Sequence, residues 1–327
     1  MGRETTIRDI LGVIKDKASL SKAALLSKSN VSLSLRLAIL RATTHGPPAP
    51  PDDHHLSAIL SFGNSSRTTA SAVITALMDR LNSTSNCYVA FKCLLIIHHI
   101  IKRGPFILQD QLSVFPATGG HNYLKLTAFR DGATAGSWVI SAWVRWYARY
   151  LETLLFTSRV LGYFLSPSSN SMIKDSQEER ISHVLNVDLI KDVDSLTGLI
   201  EEMCKAPDTT QVEGNVLLNE VMGLLGDDYL SAVNEILLRL GEFKKRLSSQ
   251  SFGDSVELIR TLKRLENCKD RIGILLGIKK PSIDILWSLT EELKNEIEVF
   301  KVHKEGGISP SLRRENGSES ARLGSEL

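Results

Sequence analysis

Apolar residues along this chain fall at helical spacing, and no segment alternates apolar and polar positions over the length of a strand. Ile7, Ile10, Leu11 and Ile14 open the pattern behind Thr6 and Asp9, which have a capping-box-like spacing. Arg8, Lys15 and Lys17 take other positions, so a short amphipathic helix with a basic end is expected, followed by Lys22 and Lys28. Two dockings fit it. The apolar face can lie in a membrane interface with the lysines over headgroups, or it can pack on the protein's own core.

The spacing predicts a second helix over residues 31–44, ended by the proline-rich stretch 46–53 because proline cannot continue a helix. A short helix starts at His54, residues 63–66 break the pattern, and 68–81 form the next helix. Residues 87–102 are apolar nearly all round, which places Phe91, Leu94, Leu95, Ile97 and Ile101 in the core. Gly104-Pro105 ends that helix, and loops at 117–120 and 131–136 flank a weak segment. A long helix over 137–165 carries Trp138, Trp143, Trp146, Tyr147 and Tyr150 at core-like spacing. After a linker at Pro167, helices are predicted over 178–185, 187–204, 212–225, 229–247, 255–276 and 283–303. Helices in series with short connections make the fold class all-α, a solenoid of stacked pairs. From Lys304 to Leu327 the chain is poor in apolar residues and reads as a disordered tail.

Composition narrows the class. With 43% apolar residues in 327, the chain can build a core, which excludes collagen-like, mucin-like and mostly disordered proteins. Cys87, Cys93, Cys204 and Cys268 form no C-x-x-C pair, and no signal peptide opens the chain, so reduced cytosolic thiols are expected. Met1-Gly2 with Thr6 fits the loose N-myristoylation pattern, with Arg3 and Glu4 adding charge beside the glycine. The net charge of +2 hides an asymmetry: residues 1–165 hold 18 Lys and Arg against 9 Asp and Glu, leaving −7 for the rest. A basic amino-terminal half points to an anionic partner, phospholipid or nucleic acid.

Candidate chemistry is sparse. The chain has no P-loop, no nucleophile elbow and no H-E-x-x-H motif. Asp52, Asp53, His54 and His55 with His98 and His99 resemble a metal set in composition alone. His98 and His99 point about 100° apart on one helix, which suits buried core histidines better than ligands. No enzyme, cofactor or metal is expected.

Three stretches resemble the ANTH-domain clathrin assembly proteins, in the family's order and spacing. Asn86-Cys-Tyr-Val-Ala-Phe-Lys-Cys-Leu-Leu-Ile-Ile-His-His-Ile-Ile-Lys-Arg-Gly104 is similar to the family's central helix, with its Phe-Lys and His-His pairs. Val144-Arg-Trp-Tyr-Ala-Arg-Tyr-Leu-Glu152 is similar to its arginine- and tyrosine-rich helix. Arg41-Ala-Thr-Thr-His45 resembles the segment that opens its lipid site. The match is closest to the shorter plant-type members. It implies a right-handed superhelical solenoid: an ENTH-like part over 1–165, a carboxy-terminal helical part over 172–303 as a longer-helix bundle extension, and the tail over 304–327.

The resemblance also implies a function. Such domains are peripheral adaptors of clathrin-mediated endocytosis and vesicle trafficking that bind phosphatidylinositol 4,5-bisphosphate, and some bind R-SNAREs of the vesicle-associated type. Their place is the cytoplasmic face of coated pits, clathrin-coated vesicles and the Golgi. The family's lipid pattern is a Lys, nine residues, a second Lys, one residue, a Lys or Arg, then His or Tyr. Here Arg41 takes the first place with ten residues after it, Asp52 falls where the second cation belongs, His54 replaces the third and His55 matches the last. Lys15, Lys17, Lys22 and Lys28 supply further positive charge, and Ile7, Ile10, Leu11 and Ile14 the membrane-inserting face. The tail holds no Asn-Pro-Phe, Asp-Pro-Phe, Asp-Leu-Leu or clathrin-box peptide, so clathrin or coat-adaptor binding rests on the resemblance. The alternative is a helical protein-interaction module that has lost lipid binding. Nucleic-acid binding fits the charge but lacks basic residues interleaved with exposed aromatics.

Overall fold

The computed structural model describes residues 7–26, 29–46, 48–115, 124–165, 171–208 and 214–306, all helix and connection with no strand among them. Gly2, Lys28, Pro47, the loop at 117–120, the linker at 167–170, and the tail from 307 lie outside the described residues.

The amino-terminal half begins with α1 (Ile7–Leu26), α2 (Asn30–Ala42), α3 (Asp53–Ser61) and α4 (Arg67–Ser83). Local chemistry sets these starts. Ser29 caps α2, Asp52 caps α3 and Ser66 caps α4, each through a side-chain oxygen accepting a backbone N–H. Next come α5 (Cys87–Arg103), α6 (Phe106–Ser113) and α7 (Ala135–Leu161). Asn86 caps α5 and Gly104 ends it; Thr134 and Ser137 form a capping box on α7. Gly162 ends α7 at φ +80°, a backbone state glycine adopts without strain.

As read from its composition, α5 is buried nearly all round, with Phe91, Leu94, Leu95, Ile97 and Ile101 fully covered. Each such aliphatic side chain contributes roughly 1.5–3 kcal/mol on burial. α6 was not expected from the sequence; Leu108 and Leu112 anchor it on the core. Trp143 and Trp146 are core residues, but Trp138 is 62% exposed, against its core-like spacing.

The carboxy-terminal half comprises α8 (Ser171–Ser182), α9 (Asn186–Met203), α10 (Val216–Lys245), α11 (Phe252–Asn267), α12 (Lys269–Leu276) and α13 (Pro281–Gly306). Two expected helices, 212–225 and 229–247, are one: α10 runs through Gly226-Asp-Asp228 unbroken. The expected helix 255–276 is two, parted at Cys268. α13 continues three residues into the stretch expected to be tail.

The helices pack in sequence order: α2 on α1, α3 and α4; α4 on α5 and α6; α7 on α5 and α9; α13 on α10 and α11. A single apolar core runs through both halves. One polar cluster also crosses between them. Asp228 of α10, with no exposed surface, accepts from His98 Nε2 (2.7 Å), Lys102 Nζ (2.6 Å) and the Tyr150 hydroxyl (2.5 Å). The other ring nitrogen of His98 meets the Tyr147 hydroxyl at 2.8 Å. Burial alone would raise the Asp228 carboxyl, but His98 and Lys102 outweigh it and hold it below its ordinary value. The paired histidines of α5 are therefore core residues, as expected: His98 anchors this cluster, and burial pushes neighbouring His99 down to about 4.

Candidate membrane-binding site

The first helix docks by its small and polar residues. Gly12 and Ala23 are buried, and Asp16 turns inward between them, at i, i+4 and i+11 on one face. Asp16 accepts the backbone N–H of His45 at 2.9 Å and meets its Nδ1 at 2.6 Å, while Arg80 stands 3.7 Å away. The apolar residues point the other way. Ile10 is 53% exposed, Leu11 52%, Ile14 55% and Leu25 85%, with Val13 exposed beside them. Of the two dockings the pattern allowed, packing of this face on the core is the one the structure does not adopt. The side chain of Ile7 lies outside the described residues.

The Arg41-Ala-Thr-Thr-His45 stretch is a knot of buried polar contacts. Arg80 of α4 donates to the Thr43 carbonyl at 2.9 Å. Lys92 of α5, nearly fully buried, donates from Nζ to the carbonyl and hydroxyl of Thr44 at 3.1 and 3.3 Å. Burial lowers Lys92 to about 8, partly countered by Asp16 and Cys93. The Phe-Lys pair singled out in the sequence therefore belongs to the scaffold: its lysine props the turn after α2.

The loop residues are dispersed by comparison. Arg41 is exposed at the end of α2. Asp52, standing where the family pattern has a cation, is the cap of α3 and accepts the His54 N–H at 2.7 Å. Asp53 is exposed, 3.8 Å from Arg103. His54 is exposed and His55 half-buried, their rings 5.5 Å apart. Among the described residues no hydrogen bond or ion pair ties Arg41 to either histidine. Lys15, Lys17 and Lys22 are exposed along α1.

Two features escaped the sequence reading. Val13 and Leu25 extend the outward apolar face, a signal visible only once the docking side of α1 is known. Arg36 of α2 and Arg80 of α4 face α1 beside Lys22.

The ANTH domain family model matches residues 34–273, from within α2 to within α12. The chain belongs to the ANTH domain family. Related chains from Arabidopsis thaliana include one named for clathrin assembly, At4g40080, 49% identical over all of this chain and 92% of its own length. Another so named, At5g10410, is 33% identical over 88% of this chain and 85% of itself. A third, At5g65370, is 28% identical over 90% of this chain and its own full length. The ANTH match begins after α1, so the apolar helix precedes the part the family model recognises. Among the described residues no helix is long and apolar enough to cross a membrane.

Proposed function

We propose that this ANTH protein is a peripheral membrane adaptor in clathrin-mediated vesicle formation, holding anionic membrane through α1 and the basic surface around it. One observation carries the reading. α1 is fixed to the body through Gly12, Asp16 and Ala23, and Ile10, Leu11, Val13, Ile14 and Leu25 face away from the protein. Four half-exposed side chains, Ile10, Leu11, Val13 and Ile14, recover roughly 3–6 kcal/mol on insertion. That alone corresponds to weak, reversible binding, about millimolar to tens of micromolar. Each nearby lysine adds about 1 kcal/mol at an anionic leaflet. The adaptor works by adding weak terms: insertion, a phosphoinositide headgroup and a coat partner. Membership of the family and the names of its relatives support clathrin-coated membranes as the place of action. R-SNARE cargo and a Golgi location are proposals carried by the resemblance alone.

Flotation of the purified protein with phosphatidylcholine vesicles, with and without phosphatidylinositol 4,5-bisphosphate, tests the reading. Binding that grows with the phosphoinositide supports it. Equal absence from both vesicle types favours the second reading, a protein-interaction solenoid, which the carboxylates of Asp52 and Asp53 at the start of α3 also favour.

A further inference from the structure

Two cysteines that stand 64 residues apart in the chain meet in the fold. Cys204 follows the last residue of α9, and Cys268 is the single residue between α11 and α12. α9 and α11 pack side by side, so their ends bring both sulfurs to one corner. Cys204 Sγ stands 3.8 Å from the Cys268 carbonyl oxygen, and the two thiols are hydrogen-bond partners. Access separates them: Cys204 is half-buried, while Cys268 is only 5% exposed. Charge separates them too. Arg271 of α12 donates to the carbonyls of Cys204 and Ala206, both at 3.2 Å, which holds its guanidinium at the end of α9. Glu201, the carboxylate that faces the pair, is taken up by Arg264 through both oxygens, at 2.9 and 2.6 Å. The hydrogen bond from Cys268, with help from Arg271, lowers the Cys204 thiol against burial, and the same hydrogen bond together with burial raises Cys268. The negative pole of α9 opposes a thiolate at Cys204, but a hydrogen bond to a charged group is the stronger effect. Cys87 and Cys93 contrast: both are sealed in α5, and burial pushes Cys93 up to about 12.

We propose that Cys204 and Cys268 form a peroxide-reactive dithiol, Cys204 attacking and Cys268 resolving, which closes to a disulfide between the end of α9 and the α11–α12 corner. An accessible thiol held towards its thiolate form, beside a covered second thiol, is the arrangement of redox-sensing cysteines. The Cys204 thiolate attacks one oxygen of a peroxide. The O–O bond breaks, that oxygen stays on Cys204 as a sulfenic acid, and the other leaves with the proton lost by Cys204, as water when the peroxide is hydrogen peroxide. The Cys268 sulfur then attacks the Cys204 sulfur. The S–O bond breaks, and the hydroxide that leaves takes the Cys268 proton and becomes water. Two thiols are oxidised by two electrons in all, and the peroxide takes up both. In a reducing compartment the pair rests as thiols, and the disulfide is transient. The bond closes a loop that contains all of α10 and α11, Asp228 included. Such closure restricts the unfolded chain, so the oxidised protein is the more stable form. This proposal is independent of the membrane reading above.

Treatment of the reduced, folded full chain with a modest excess of hydrogen peroxide, followed by intact mass and non-reducing peptide mapping, is the test. The wild type should become lighter by two hydrogens, with the peptides of Cys204 and Cys268 joined and those of Cys87 and Cys93 unmodified. Dithiothreitol should reverse the change. The oxidised protein should melt at a higher temperature than the reduced one. Cys268→Ser should stop at the sulfenic acid, trapped on Cys204 by dimedone, whereas Cys204→Ser should leave Cys268 unlabelled. A wild type whose two thiols survive peroxide, or whose Cys204 goes on to sulfinic acid with no disulfide, overturns the proposal without any variant having to fold. Disulfides between chains in place of the internal one also overturn it. Dimedone on Cys268 in Cys204→Ser, with none on Cys204 in Cys268→Ser, overturns the assigned roles. An oxidised protein that melts no higher than the reduced one overturns the stabilising bond.

Discussion

Gly12 and His45 are in such close contact that a Cβ on residue 12 would stand 2.8 Å from the Cβ of His45. This contact, with Asp16 beneath it, sets which side of α1 faces the protein. Gly12→Ala brings two opposed effects. Alanine favours the helix by about 1 kcal/mol, and overpacking costs about 1–3 kcal/mol. The clash is with a Cβ rather than a flexible tip, so a net loss in denaturant-measured stability is expected. Gly198 in α9 is the control: nothing lies within 4 Å of its Cβ position. Gly198→Ala should therefore stabilise by roughly 0.5–1 kcal/mol.

The two halves are joined at Asp228, where His98, Lys102 and Tyr150 meet one buried carboxylate. Asp228→Asn removes the charge and leaves Lys102 buried without its anion. Loss of one partner of such a pair costs about 3–5 kcal/mol. Urea unfolding at neutral pH should show that loss. A change under half a kcal/mol would mean the cluster does not hold the halves together.

His99 gives the fold a pH dependence of defined sign. Burial, helped by Arg103 and His98, pushes it down to about 4, while an unfolded histidine titrates near ~6.5. Glu220 at 3.6 Å is too exposed to offset this. Between those values the unfolded chain binds the proton more readily, so stability falls as pH drops from 6.5 towards 4. The part due to His99 is on the order of 2–3 kcal/mol. His99→Leu should remove it, seen as a smaller difference between melting temperatures at pH 7 and pH 5 than in the wild type.

The sequence made α5 legible because apolar residues surround it, and α7 because its aromatic and leucine residues recur at helical spacing, although the expected 137–165 missed the cap at Thr134 and ran past the end at Gly162. The break expected inside α10 failed for a tertiary reason. Gly226 and Asp228 look like punctuation, yet the Cβ position of Gly226 lies 3.0 Å from Ile278 Cδ1, and Asp228 is sealed under α5. The glycine admits a neighbour and the aspartate answers buried cations, so neither ends the helix. The split at Cys268 was hidden because apolar spacing continues across it. At the membrane site, the apolar set of α1 was legible, but its direction was not, since that depends on Gly12 meeting His45 and Asp16 meeting Arg80. Arg36 and Arg80 had no linear signal; the folding of α1 across α2 and α4 brings them beside Lys22.

The account turns on whether the outward face of α1 enters lipid, and Ile10→Ser with Ile14→Ser addresses it directly. Both side chains are about half exposed, so the free protein should melt within about 0.5 kcal/mol of wild type. Vesicle flotation with phosphatidylinositol 4,5-bisphosphate should weaken at least about tenfold, the equivalent of ~1.4 kcal/mol of lost insertion. A variant that floats as well as wild type, or one that melts markedly lower, would contradict an inserting helix.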